Sequence, residues 1–311
     1  MVYFILTDEN NVCGNIKFKT GLNFVDKDTK YNIYHINYFN QFQIGKINNS
    51  ERSCYYVRIV LCNKDTNIIN DKLIDNKVVL SEKYYLFDPK IVKKMVKKFN
   101  LEVNERYIAW AGSKGEVQFL EWWKNSGLSL KYDNLSLVGA SATNCINVLT
   151  WWLKSKLPLK YDRSALAIAS IYCQLDVLTW WFKSNLPLKY DELVLDIASE
   201  NGHVNVLEWW LKNNQPLKYS ILSLNSASGN GHVEVLNWWL KSGLELKYNT
   251  QALHDGAKNG HINVLEWWFK SGLKLKYNQF LFSEIPKDKL KLILEWFELK
   301  GLDIPYQIFK W

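Results

Sequence analysis

Three histidines, His203, His232 and His261, recur at an interval of 29 residues. Imidazoles in register are the usual start of a metal site. One per 29-residue unit places them far beyond the ~2 Å reach that a shared zinc ion needs, so no metal and no cofactor is expected. Six lysines, Lys131, Lys160, Lys189, Lys218, Lys247 and Lys276, keep the same interval. Regularly spaced cations could bind the phosphates of a polyanion, or simply keep a face solvated. Five cysteines, Cys13, Cys54, Cys62, Cys145 and Cys173, are odd in number and lack CxxC spacing, as reduced thiols would be. Residues 1–86 hold no GxxxxGK[ST], HExxH or nucleophile-elbow motif. Nothing points to catalysis, although an enzyme within residues 1–86 stays open as an alternative.

What must position these residues is a repeat. Adjacent tryptophans begin at Trp122, Trp151, Trp180, Trp209, Trp238 and Trp267, and Trp296 opens a seventh copy degraded to Trp-Phe. Leu120 and Tyr132 return at the same interval through Leu294 and Tyr306. A fixed period without insertions marks a solenoid, in which each unit buries its apolar face against its neighbours. In the copy from Asp191 to Tyr219, "LVLDIAS" predicts a short first helix and "HVNVLEWWLKN" a second, with Gly202 in the left-handed turn between them. A helical wheel puts Val206, Leu207, Trp210 and Leu211 on the core face and Trp209 on the flank, over the adjacent copy. Buried indoles need acceptors, and loop carbonyls around "LKY" are expected to supply them. An aromatic stripe for a partner is the other reading of the Trp pairs.

The ends differ. Residues 1–86 carry short β-branched and aromatic runs, "VYFIL", "NIKFK", "YYVRIVL", "KVVL" and "YYLF", which predict strands of a small α+β or β-rich domain. Residues 87–103 form half a repeat, a cap whose outer face is basic: Lys90, Lys93, Lys94, Lys97 and Lys98 oppose Ile91, Val92, Met95, Val96 and Phe99. In this alignment Ile91 falls on the Leu120 position and Leu101 on the Leu130 position. Seven repeats fill 104–306, and 307–311 is a tail. The net charge of +8 comes mostly from the first 103 residues, with 16 basic against 11 acidic, while the remainder is nearly balanced. No apolar run reaches the ~18 residues of a membrane span, and the start lacks a signal peptide's basic region. A cytoplasmic monomer is expected.

The stretch "ALHDGAKNGHINVLEWWFKSGLKLKYN", residues 252–278, resembles the ankyrin repeat. Ala252, Leu253 and His254 stand where that family has Pro-Leu-His. Gly260 and His261 match its Gly-His, Val264 and Leu265 its paired aliphatics, and Ser271, Gly272 and Leu273 the end of its second helix. At 29 rather than about 33 residues, the copies leave little room for a β-hairpin finger. The Trp-Trp and LKY signature is similar to ankyrin-like arrays of large DNA viruses of amoebae. The resemblance implies a mainly α solenoid of helix pairs, a structural hydrogen-bonded histidine at each turn, and a concave face that binds a partner protein, for a viral protein one of the host's.

Comparing copies shows which positions vary on that face. One row reads Val138, Ala167, Asp196, Asn225, His254, and another Ala142, Ile171, Glu200, Gly229, Lys258, both expected to point outward. The turn glycine becomes Asn144 and then Cys173 in two consecutive copies, whose histidine is also replaced, by Cys145 and Gln174. Thr143, Ile171 and Tyr172 lie beside this irregular stretch, which makes it the candidate contact region. A polyanion, nucleic acid included, held by the basic cap and the lysine ladder is the alternative partner.

Overall fold

The computed structural model describes residues 77–278 and 280–304, and before them the segments 3–7, 9–10, 12–13, 16–17, 19–24, 34–35, 56–60, 68–69 and 72–73. Cys54, Cys62, Tyr306 and the tail at 307–311 lie outside the described residues. The chain forms two compact units, residues 1–140 with 145–161, and residues 141–144 with 162–311.

In the first unit the β-branched and aromatic runs pair as an antiparallel sheet. Its strands are β1 (Tyr3–Thr7), β4 (Gly21–Phe24), β5 (Tyr34–His35), β6 (Tyr56–Val60) and β9 (Lys77–Tyr85), in the order β4-β9-β6-β1-β5. Tyr3 faces Val60 and Thr7 faces Tyr56; Tyr56 faces Tyr85 on the other side. Two short hairpins, β2 (Val12–Cys13) with β3 (Ile16–Lys17) and β7 (Ile68–Ile69) with β8 (Lys72–Leu73), pair separately from it. Ile5, Leu6, Val57, Val60 and Leu80 are buried in the sheet. Arg58, also buried, is anchored by Nη1 to Thr20 Oγ1 at 3.0 Å and the Ser81 carbonyl at 2.7 Å, and burial lowers its pKa.

An aromatic knot joins this sheet to the first helices. Phe87 packs edge-on against Tyr107, Trp110 and Phe119, with centroids 4.7–5.8 Å apart. Tyr85 donates to Glu116, and Tyr107 donates to the Leu86 carbonyl. Burial pushes the Tyr107 phenol upward and raises Glu116 as well. Between sheet and knot runs α1 (Pro89–Phe99), started by Asp88, whose carboxylate accepts from Lys90 N at 2.8 Å, and stopped by Asn100 at φ 55°. Val92 and Met95 are its buried residues. The half-repeat alignment is therefore corrected: Ile91 is only half-buried where Leu120 is fully buried, and Leu101 is buried where Leu130 is exposed. The helix has rolled on its axis, because it seats against the sheet and knot rather than a preceding copy. Then come α2 (Glu105–Ser113), α3 (Val117–Asn125), α4 (Leu135–Ala142) and α5 (Ile146–Lys154).

The second unit stacks helix pairs: α6 (Ser164–Ile171) and α7 (Leu175–Lys183), α8 (Leu193–Glu200) and α9 (Val204–Lys212), α10 (Leu222–Gly229) and α11 (Val233–Lys241), α12 (Gln251–Lys258) and α13 (Ile262–Lys270). A short 3-10 turn (Phe282–Glu284) and α14 (Lys287–Leu299) follow. First helices have eight residues and second helices nine, and the linkers between pairs carry no strand. The turn inside each pair is left-handed, with φ 75° at Gly202, 79° at Gly231 and 78° at Gly260. A second constraint adds to the backbone one: a Cβ at Gly202 would lie 2.9 Å from the ring of His232 in the next pair. Asn144 and Cys173 hold the same conformation, at φ 58° and 53°.

The core follows the wheel with one correction. Val206, Leu207 and Trp210 are fully buried, but Leu211 is only half-buried, and its counterparts Leu153, Phe182, Leu240 and Phe269 are exposed.

Candidate partner-binding surface

The repeated polar residues are nearly all committed to neighbouring copies. In five copies the first indole donates to a side chain 30 residues earlier: Trp151 to Glu121 (2.7 Å), Trp209 to Thr179 (3.0 Å), Trp238 to Glu208 (2.7 Å), Trp267 to Asn237 (2.8 Å) and Trp296 to Glu266 (3.1 Å). The second indole reaches a serine 40 residues earlier: Trp181 to Ser141 (3.2 Å), Trp239 to Ser199 (2.9 Å) and Trp268 to Ser228 (3.0 Å). The expectation of loop-carbonyl acceptors is thus overturned. The first indole, on the flank, meets side-chain oxygens of the preceding second helix, and the second, in the core, meets those of a first helix. The Trp pairs are a packing ladder.

That ladder has a readable rule. Trp152 has Gly112 at the serine position and donates instead to Ser136 Oγ at 2.9 Å. Phe297, which has no N–H, has Ala257 there. Trp210 has Ser170 there and breaks the rule: its Nε1 is buried without a partner, although Ser228, whose hydroxyl donates back along its helix just as Ser170's does, still accepts from Trp268.

The tyrosines and lysines interlock in the same way. Tyr132, Tyr190, Tyr219 and Tyr248 each donate to a carbonyl 26 residues on, at 2.9–3.1 Å, and burial raises all four phenols. Their rings lean on the second Trp of the next copy, with centroids 4.6–4.9 Å apart. Lys160, Lys218, Lys247 and Lys276 each donate to the carbonyl of the preceding tyrosine and hold Nζ 4.0–4.7 Å above its ring. Lys131 is ion-paired with Glu102 at 2.6 Å. The lysine ladder is thus a row of structural clasps.

The turn histidines are structural too. His203 Nε2 bonds the Ile171 carbonyl at 2.8 Å, and Gln174 makes the equivalent bond to Ala142 at 3.2 Å. Burial lowers the pKa of His232, which bonds the Glu200 carbonyl. Among the described residues no three His, Cys, Asp or Glu side chains group as metal ligands.

The row expected to point outward is corrected. Ala167, Asp196, Asn225 and His254 are buried and Val138 is half-buried. They face the loop that opens the next pair. Asp196 accepts from Ser220 N (2.9 Å), Ser220 Oγ (2.6 Å) and Ser223 Oγ. Asn225 Nδ2 donates to Asn249 Oδ1 at 2.8 Å. His254 Nε2 is buried with no hydrogen-bond partner, and burial lowers the imidazole's pKa. This interlocking row was missed in the sequence, although Asp, Asn and His at one register against Ser220 and Asn249 was a visible cue.

The second row behaves differently. Thr143, Tyr172, Glu200 and Lys258 are exposed, Ala142 and Ile171 are half-buried, and Gly229 is buried. These residues occupy the C-terminal ends of successive first helices, so one end of each helix presents a side chain of different chemistry. Tyr172, half exposed, adjoins Cys173 in its left-handed turn. At α1, Lys90, Lys93, Lys94, Lys97 and Lys98 are all exposed.

No family model matches the chain, and no curated protein is significantly similar to it. Among solved structures it is similar to the human ASB11 ankyrin repeat domain, with 15% identity and a TM-score of 0.48, over 61% of this chain and 96% of that one. It is also similar to the ankyrin repeat domain of Bcl-3, a member of the IkappaB protein family, with 14% identity and a TM-score of 0.41, over 60% and 97%. Both are ankyrin repeat domains, the family the repeat motif resembles.

Proposed function

We propose that this chain is a non-enzymatic scaffold, a cytoplasmic monomer, that binds a partner protein along the C-terminal ends of its first helices. The observation that carries this reading is a division of labour. Repeated polar groups are spent on inter-copy bonds, whereas the row Ala142, Ile171, Glu200, Gly229, Lys258 and the adjoining Thr143 and Tyr172 change chemistry from copy to copy, with Thr143, Tyr172, Glu200 and Lys258 exposed and Lys258 within 4.0 Å of Glu284. Variable side chains on a rigid frame suit recognition of one specific partner. Tyr172 is the natural anchor, since exposed tyrosines concentrate binding energy at interfaces. In this reading residues 1–86 supply an N-terminal sheet region that shares a compact unit with the first helices, 87–103 caps the array of 104–306, and the resemblance to arrays of large DNA viruses makes a host protein the partner. Among the described residues no helix is long and apolar enough to cross a membrane.

The test is affinity capture with the full chain against two variants: Ile171→Asp with Tyr172→Ala, and Tyr172→Ala with Lys258→Glu, both of whose residues are exposed. Both should lose the captured protein while the melting temperature holds. Capture retained by both variants would move the site elsewhere.

A further inference from the structure

We propose that the outer face of α1 is a docking surface for the phosphate backbone of double-stranded DNA, read without regard to base sequence. This stands apart from the partner-binding reading above and rests on different residues. Any repeat array needs polar caps, but capping requires polarity, not one sign of charge. The C-terminal cap shows this. Helix α14 mixes Lys287, Lys289 and Lys291 with Asp288, Glu295 and Glu298, and Lys291 pairs with Glu295 at 3.8 Å. Helix α1 carries five exposed lysines and no acid. Its nearest acidic neighbours in sequence are already occupied: Asp88 caps the helix and Glu102 pairs with Lys131.

The contrast holds along the array. Lys124, Lys212 and Lys270 face a glutamate one turn earlier, and the ladder lysines clasp a carbonyl and a ring. Among the described residues no ion pair involves a lysine of α1. Lys94 and Lys98 lie over the rings of Tyr84 and Phe99, at 5.6 and 5.4 Å, and remain exposed.

The face has the chemistry of a backbone reader. A protein partner needs apolar or aromatic anchors, and lysine is depleted at such interfaces; here the exposed face is lysine alone. An amphipathic helix binds a bilayer by burying its apolar side in lipid, but Val92 and Met95 are already packed inside the protein. At 100° per residue the five lysines spread over an arc of about 140°. A flat surface meets only the middle of such an arc. A concave one lined by phosphates on both walls meets all of it, and the B-DNA major groove, about 12 Å wide, matches a helix about 10–12 Å across.

The experiment is fluorescence anisotropy of the full chain with a labelled duplex of about 20 base pairs, over a salt series. Five contacts set a limiting slope of log affinity against log salt of about −4.5. Lys90→Gln with Lys93→Gln and Lys97→Gln should weaken binding at least tenfold and flatten the slope by about 2.7. Lys218→Gln with Lys247→Gln should change neither, and two unrelated duplex sequences should bind alike. Circular dichroism of the triple variant should match the parent, since the substituted side chains are exposed. Absence of binding at low salt, equal loss in the Lys218/Lys247 variant, or a slope unmoved by the triple substitution would overturn the proposal. So would tighter α1-dependent binding to phosphatidylserine vesicles or to polyglutamate, which would point to a membrane or an acidic protein instead.

Discussion

Trp209 and Trp210 are neighbours in sequence and unequal in the fold. Trp210 is fully buried, so Trp210→Ala should cost about 3–5 kcal/mol in denaturant melts. Trp209 is half-buried and donates to Thr179, so its removal should cost less, and the reverse order would refute the packing. Cys173 holds a left-handed turn that glycine adopts freely, and Cys173→Gly should stabilise by about 1 kcal/mol. The buried row yields a sharper case. Asn249 and Asn278 hold equivalent positions, each side-chain oxygen accepting from the backbone two residues on. His254→Asn would set against Asn278 the amide that Asn225 sets against Asn249. It should raise stability by about 1 kcal/mol, because a buried nitrogen without a partner is replaced by a bonded one. A melt showing destabilisation would mean the imidazole's packing outweighs its unmet bond.

At the level of helices, the C-terminal cap buries Ile293, Trp296 and Phe297 and is further tied to the last pair by one carboxylate. Glu266 accepts from Lys300, Lys270 and Trp296, which hold its pKa down at about 2. A carboxylate lowered by folding stabilises fully above its unfolded value, about 4.3, and loses that contribution as pH falls through the folded one. Loosening of α14 should therefore appear between about pH 4 and pH 2, and Glu266→Gln should bring it to neutral pH. Limited proteolysis across that range reads it directly; a cleavage pattern identical in both proteins would contradict the clamp. Helix pairs, turn glycines and deep tryptophans were legible in the sequence because period and residue type both report them. The indole acceptors were read wrongly as loop carbonyls, although each residue before a Trp pair from Glu121 to Glu266 is a Glu, Thr or Asn. Helical wheels treat one helix at a time, and these bonds cross copies. The same blindness turned Asp196 outward: a carboxylate reads as exposed until its donors, 24 and 27 residues away, are known.

Across the whole array, copies share a frame but are not interchangeable. Deleting Asp191–Tyr219 joins Tyr190 to Ser220 and lets Lys247 clasp Tyr190 in place of Tyr219. It also leaves Ala167 facing Ser220 and Ser223, whose acceptor was Asp196. The shortened chain should fold, and Ala167→Asp should stabilise it further; a 15-residue deletion at the same place should unfold the stack, as circular dichroism would show. The candidate surface was only partly legible, because exposure at Thr143, Tyr172, Glu200 and Lys258 depends on how deeply each first helix seats, which residue type alone does not convey.

The clasps between copies also decide how the second unit would yield to force. Each Tyr–Lys–Trp tie joins one helix pair to the next and none reaches farther. Stretched from its ends, the stack should come undone tie by tie, each rupture releasing about 29 residues, or roughly 100 Å of extended chain. A sawtooth of evenly spaced peaks is the expected trace, with an early, smaller event wherever a pair lacks its full set of ties.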